Sequence, residues 1–255
     1  MNAIDIHVHH RWTKLNERPD YQIERTKSLA RQSGIDKVLL LTGGGRTTPE
    51  KLRECNDCTL RLMECDPDFF LPAMYLSPAH GASFIKEEAA RCVEAGMVAI
   101  KQGTERKASD PRGGPVAEAA ADFDIPILYH AWYKTLGVEP SETESNGADI
   151  ACLARRHPET RIIMAHLTGV GRRGVQDVED LPNVYVDTSG GWYDSEMVEY
   201  AMRHMGADRV LYGSDYPGRD YAPQVGRVTG ARLSKRDKES ILWRSAAAVL
   251  RLRRK

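Results

Sequence analysis

The N-terminal run IDIHVHH, residues 4–10, sets Asp5, His7, His9 and His10 within six positions of one another. Read as a strand, it puts Asp5, His7 and His9 on one face and Ile4, Ile6, Val8 and His10 on the other. Imidazoles at i and i+2 of one strand face stand about 6–7 Å apart, so both reach a single metal ion. The same residue types recur at the ends of later apolar runs. Lys101 follows VAI, His130 follows ILY, His166 follows IIMA, Asp187, Thr188 and Ser189 follow VYV, and Asp215 lies in GSDYP after VLYG. Imidazole and carboxylate together suit zinc or another first-row divalent ion. Three nitrogens and one carboxylate oxygen leave a position for water, whose pKa zinc lowers to about 7. A further histidine then polarises the substrate or moves a proton.

These residues need elements to hold them. Short β-rich runs occur near 3–9, 36–42, 69–76, 97–102, 125–131, 161–167, 183–188 and 208–213. Helical patterns lie between most of them. One covers 21–33 and stops at Gly34; another starts at Pro49 behind Thr48 as N-cap. Others cover 83–95, 147–157 and 194–205, and a last one opens on SKRD, a capping box at Ser234. The strands are nearly all apolar, as parallel strands covered on both faces are. Eight βα units in 255 residues predict one α/β domain over 1–255: a single (β/α)8 TIM-type barrel, with a doubly wound sheet as runner-up. In such a barrel, chemistry gathers at the C-terminal ends of the strands. Four of the eight histidines fall there: His7 and His9 together, His130 and His166.

Composition narrows the function. Lys plus Arg and Asp plus Glu are both 36, so the net charge is zero and a general nucleic-acid binder is disfavoured. Five cysteines, with a lone Cys55-Asn-Asp-Cys58 inside a helical pattern, predict reduced thiols and a cytoplasmic protein. No signal peptide and no apolar run near 18 residues is evident, so no membrane partner is expected.

In order along the chain, DIHVHH, GMVAIKQG, IPILYHAW, RIIMAHLTG, NVYVDTSG and RVLYGSDYP resemble the amidohydrolase superfamily. The similarity is to the branch that holds aminocarboxymuconate-semialdehyde and resorcylate decarboxylases and several lactonases. It spans residues 3–252. The resemblance implies a metal held by His7, His9, His130 and Asp215, with His166 as the catalytic acid/base and Asp215 also moving a proton. It implies one divalent ion, zinc before manganese. A binuclear site bridged by a carbamylated Lys101 is the less favoured version. It also implies a homodimer. The β-sandwich that flanks many superfamily barrels is not expected here, since strand one is read from residue 3. Ser245-Ala246 stands where the branch often has Asn-Ala.

Other residues are weaker candidates. Lys101 contacts substrate or faces solvent at a strand end. Arg46, in TGGGRT, receives a carboxylate or belongs to a flexible loop. Trp132 and Trp192 wall a ring-shaped substrate or pack in the interior. TGVGRRG offers Arg172 and Arg173, at least one of them exposed. Neither glycine run has nucleotide-loop spacing. The resulting reading is a metal-dependent hydrolase of a lactone or amide in a small carboxylated metabolite. Metal-activated water attacks the carbonyl while His166 stabilises the oxyanion. The alternative is a non-oxidative decarboxylase of an aromatic or muconate-type acid on the same site. Hydrolysis takes precedence because the chain is short, and decarboxylation gains from covering segments that exclude water. A non-catalytic metal-binding barrel and a metal-dependent nuclease are rivals from other classes.

Overall fold

Residues 2–10, 19–44, 47–134, 141–191 and 194–252 are described by a computed structural model of the chain. Eight strands follow in order: β1 Ala3–His10, β2 Ile35–Thr42, β3 Phe70–Tyr75, β4 Ala99–Gln102, β5 Ile127–Tyr129, β6 Ile162–Met164, β7 Val184–Asp187 and β8 Val210–Leu211. Each pairs in parallel with the next, giving the order β1 to β8. The ends meet. Ile6 N–H donates to Tyr212 O (3.0 Å), Asp215 N–H to His7 O (2.8 Å) and His9 N–H to Tyr216 O (2.7 Å). The chain is therefore a (β/α)8 barrel, and every predicted strand is present.

Alternation along the strands sorts the core into two layers. Ile4, Ile6, Leu39, Leu41, Ala73, Ala99, Leu128, Ile163 and Leu211 fill the barrel together with Ala246, Val249 and Leu250. Val38, Leu40, Phe70, Met74, Ile100, Ile127, Ile162, Val184 and Val210 pack outward under the helices. These side chains are buried in one layer or the other, which is why most of each strand reads as an apolar run.

The helices start and stop on the expected chemistry. Pro19–Gln32 runs to just before Gly34, whose φ is +78°. Thr48 caps Pro49–Glu64 by accepting from Lys51 N–H at 3.3 Å. Asn146 and Asp149 form a reciprocal capping box on Gly147–Arg156. Ser234 caps Lys235–Glu239, and the last helix continues through a π-helical turn, Ser240–Arg244, into Ser245–Val249. The helix Leu167–Val178, which carries TGVGRRG, has no clean pattern in the sequence because three glycines interrupt it; Gly171 sits at φ +63° inside it. Arg172 and Arg173 are both exposed, lying over the rings of Tyr200 and Tyr133. All five cysteines are free, with Cys55 and Cys58 buried in Pro49–Glu64. Among the described residues, no helix is long and apolar enough to cross a membrane.

Candidate active site at the C-terminal end of the barrel

β1 departs from the simple two-face reading. Asp5 pairs with Val38 and Val8 with Leu40, so three steps on β1 span two on β2. The extra residue is a bulge, and it resets the alternation. Ile4 and Ile6 lie in the barrel, whereas Val8 joins the outer layer with Ala3. Asp5 therefore does not share a face with His7 and His9. Its carboxylate instead holds the bulged backbone: Oδ1 accepts from His7 N–H and from Ser214 N–H, both at 3.0 Å. Burial pushes the Asp5 carboxyl up to about 7.

With His7 and His9 both turned inward, their Nε2 atoms lie 3.0 Å apart. Asp215 Oδ1 is 3.8 Å from His7 Nε2 and 3.5 Å from His9 Nε2. These spacings are close to the edges of a tetrahedron around a cation, about 3.3 Å for ligand bonds of ~2.0 Å. His7 Nδ1 is 2.7 Å from Asp187 Oδ2, which fixes the proton on Nδ1 and aims the Nε2 lone pair at the cluster. Two bare imidazole nitrogens at that separation repel unless a proton or a cation lies between them. Burial and the neighbouring Lys101 and His130 push His7 well below the usual histidine range, so the cation is the fitting occupant.

Asp187 organises the floor of the site. Its Oδ1 accepts from His166 N–H (2.9 Å), Ser189 N–H (2.9 Å) and Ser189 O–H (2.5 Å). Asp187 also forms a close group with His7 and His166, but its oxygens are already spent on these donors, whereas His9 and Asp215 line open space. His166 and Asp215 both hold left-handed backbone, with φ +68° and +65°. For residues other than glycine this costs of order 1–3 kcal/mol each, and such strain gathers at functional sites. From Ser189 a line of hydrogen bonds runs outward. Ser189 Oγ meets His166 Nδ1 (3.0 Å), His166 Nε2 meets His130 Nδ1 (3.1 Å), and His130 Nε2 meets Glu144 Oε1 (2.8 Å). Lys134 pairs with the other Glu144 oxygen. The hydrogen bond from His130 holds Glu144 down at about 2. Burial keeps His166 far below the usual range and neutral.

A cavity of about 360 Å³ opens above this floor, lined by His9, Gly44, Tyr75, Lys101, Gly103, Thr104, Glu105, His130, His166 and Asp215. Lys101 does not face solvent. It is buried, with Nζ donating to Gln102 O at 2.8 Å, and burial lowers it to about 8.

Of the candidates from sequence, His7, His9 and Asp215 form the cluster, and His130, His166 and Lys101 line the same cavity. His130 stands beside the cluster, with its two nitrogens on His166 and Glu144. Trp132 packs edge-on against His166, ring centroids 5.5 Å apart, over Gly169, where any side chain would strike its ring. It buttresses His166 rather than lining the cavity. Arg46 and Trp192 lie outside the described residues. Roles for Asp5, Glu105 and Glu144 have no counterpart in the sequence reading.

The amidohydrolase family profile matches residues 4–252. The chain belongs to the amidohydrolase family. No curated protein matches it by sequence. Solved amidohydrolase-like structures of similar fold include 2,6-dihydroxybenzoate decarboxylase from Rhizobium, 19% identical with TM-score 0.79 over 99% of each chain. A dihydroxybenzoic acid decarboxylase from Polaromonas, with bound manganese and 2-nitroresorcinol, is 18% identical with TM-score 0.78, over 100% of this chain and 98% of that one. A candidate 2-pyrone-4,6-dicarboxylic acid hydrolase from Pseudomonas putida is 17% identical with TM-score 0.72, over 99% and 98%. At such identities the likeness speaks for the fold.

Proposed function

We propose that this amidohydrolase is a metal-dependent, non-oxidative decarboxylase of a small ring-shaped carboxylic acid. The observation that carries the reading is the meeting, in one cavity, of the His7–His9–Asp215 cluster with the buried ammonium of Lys101 and the neutral His166. The relatives named as decarboxylases, one of them holding manganese, support it. Hydrolysis, which the sequence alone puts first, rested on the shortness of the chain. The end-to-end likeness to the decarboxylases removes much of that ground.

His7, His9 and Asp215 would hold one divalent ion, zinc or manganese. Such an ion supplies positive charge that binds an anionic oxygen and draws electron density from the ring. Lys101 Nζ, with hydrogens beyond the one given to Gln102, receives the acid's other oxygen. The carbon–carboxyl bond breaks, its electron pair stays on the ring carbon, and carbon dioxide departs. One proton must reach that carbon. Asp215 directs Oδ1 to the cluster, and its Oδ2 would take up a proton from water and pass it to that carbon, returning to the carboxylate. His166 orders the wall opposite through Ser189 and His130.

A second reading has its own observation. The side chains of His9 and Asp215 are 29% and 22% exposed, which admits water for hydrolysis of a lactone or amide. The Pseudomonas putida relative is in keeping with it. Mass spectrometry on metal-loaded protein incubated with hydroxybenzoates, pyrone carboxylates and sugar lactones separates the two. The expected product has lost carbon dioxide; products that only gain water, with none decarboxylated, overturn the first reading.

A further inference from the structure

On the outer side of β1, three polar atoms meet no partner in the protein. Ile4 and Ile6 point into the barrel, so Asp5 between them points outward. Tyr212 follows Leu211 of β8 and belongs to the outer layer, and β1 reaches it through the hydrogen bond from Ile6 N–H to Tyr212 O at 3.0 Å. Tyr221, the first residue of the helix Tyr221–Thr229, lies in that layer as well. Asp5, Tyr212 and Tyr221 are each 0% exposed. Among the described residues, nothing donates to Asp5 Oδ2 and nothing pairs with the Tyr212 or Tyr221 hydroxyl. The three are neighbours. Burial, and after it the charge of Asp5, pushes both phenols well above their usual range, and Tyr221 adds to the effect on Tyr212.

Buried polar atoms are nearly always met, by the protein or by internal water. The atoms here suit water. Each phenol has a hydrogen to give, and the carboxylate oxygen only accepts. Water accepts two hydrogen bonds and donates two, so it can take the phenol hydrogens and give its own to Asp5 Oδ2. The protein has little else to offer. The Tyr221 ring is held flat on Tyr216, with centroids 4.3 Å apart and 8° between planes, so its hydroxyl cannot swing. Ser214 Oγ, the other hydroxyl beside this carboxylate, accepts from Tyr216 N–H at 3.0 Å and donates to His7 O at 3.5 Å. We propose that internal water is bound by Asp5 Oδ2 and the Tyr212 and Tyr221 hydroxyls, and that the two tyrosines thereby act as positioning residues for the metal cluster. Asp5 Oδ1 carries the N–H groups of His7 and Ser214, on the segments that bear His7, His9 and Asp215. A carboxylate met on one oxygen alone can turn; water on the other oxygen pins it. The effect on metal rests on reading the cluster as a cation site, whereas the water itself does not.

Three measurements on the full chain test this. A high-resolution crystal structure should show water within about 2.6–3.2 Å of Asp5 Oδ2 and of at least one of the two phenol oxygens. Y212F and Y221F each remove a hydroxyl and leave the ring. Loss of a water-bonded hydroxyl should lower the melting temperature by about 2–4 °C, the shift that one hydrogen bond gives in a chain of this size, whereas loss of an unmet hydroxyl would raise it. Competition against a chelator, with zinc and manganese each used alone, should show both variants binding metal roughly two- to fivefold more weakly, a smaller effect than losing the direct partner of a metal-binding histidine. Ile241→Val, in the same buried layer, controls for general loosening: it should lower the melting temperature by a similar amount and leave metal affinity unchanged. Higher melting temperatures in both tyrosine variants, metal affinity that is unchanged in both, or a crystal structure in which Ser214 or a phenol donates directly to Asp5 Oδ2 with no water there would overturn the proposal. Density at that place with six or more oxygen neighbours marks a cation and also overturns it. A wild type that binds neither metal would instead overturn the reading of the cluster, and the crystal and melting results would still decide the water.

Discussion

His7 points its lone pair at the cluster because Asp187 takes the proton on its other nitrogen. Asp187→Ala should therefore weaken metal binding by about 10–100-fold, the usual effect of losing a partner behind a metal-binding histidine. Competition against a chromophoric chelator measures it. Lys101 gives a pH signature. Burial lowers it to about 8, so above that pH it loses its charge and affinity for an anionic ligand should fall about tenfold per pH unit. Its effect on stability has the opposite sign. Between about 8 and the ordinary 10.5 the unfolded chain binds the extra proton, so this residue's contribution to stability rises with pH. Lys101→Met should abolish the ligand-affinity slope in a titration series. At this scale the sequence is legible where the barrel gives a rule. Strand C-termini single out His7, His9, His130, His166 and Asp215. Glu105 and Glu144 sit in segments with no periodicity, so nothing in the chain order marks them out.

The bulge in β1 is the element on which the cluster turns. Without it His7 would follow Ile6 to the opposite face, because strand side chains alternate. Asp5 accepts the His7 N–H and the Ser214 N–H, and so ties β1 to the segment that carries Asp215. Asp5→Ala should lower metal affinity by roughly tenfold or more. Asp5→Asn, which keeps an acceptor oxygen in place, should restore most of it. The same chelator competition, run beside a thermal melt, separates this from general destabilisation. Alternation in IDIHVHH suggests a flat strand with Asp5 on the same face as His7 and His9. An inserted residue leaves no trace in the hydrophobic pattern, so only the pairing with β2 reveals it. The eight strands were legible for the converse reason: each is a short apolar run covered on both sides. The helix Leu167–Val178 was not, since its glycines resemble loop chemistry.

Across the whole molecule the layers are pinned by a few buried polar groups. Glu88, buried under Pro49–Glu64, receives Arg91 at 2.7 and 2.9 Å, Arg53 at 3.1 Å and Asn56 Nδ2 at 2.9 Å. Burial pushes its carboxyl up, but the hydrogen bonds from Arg91 and Asn56 outweigh this and hold it below its ordinary value. That stabilisation is complete above the unfolded carboxyl's pKa near 4.5 and is lost as pH falls through the lower folded value. Glu88→Ala should cost about 2–4 kcal/mol, because Asn56 and two guanidinium groups lose their partner. Urea unfolding at pH 7 and at pH 4 would show the gap to wild type narrowing in acid. The closure of the ring has a further consequence, in the timing of synthesis. His7 and His9 leave the ribosome more than two hundred residues before Asp215 and the tyrosine carbonyls that seal β8 to β1. A metal ion held by the completed cluster would therefore be a clasp between the first and last strands of the barrel, and it would form only once the circle is whole. A nascent or truncated chain ending before Asp208 should hold zinc or manganese no better than a free His-Val-His peptide. The intact protein should gain resistance to unfolding with each rise in free metal.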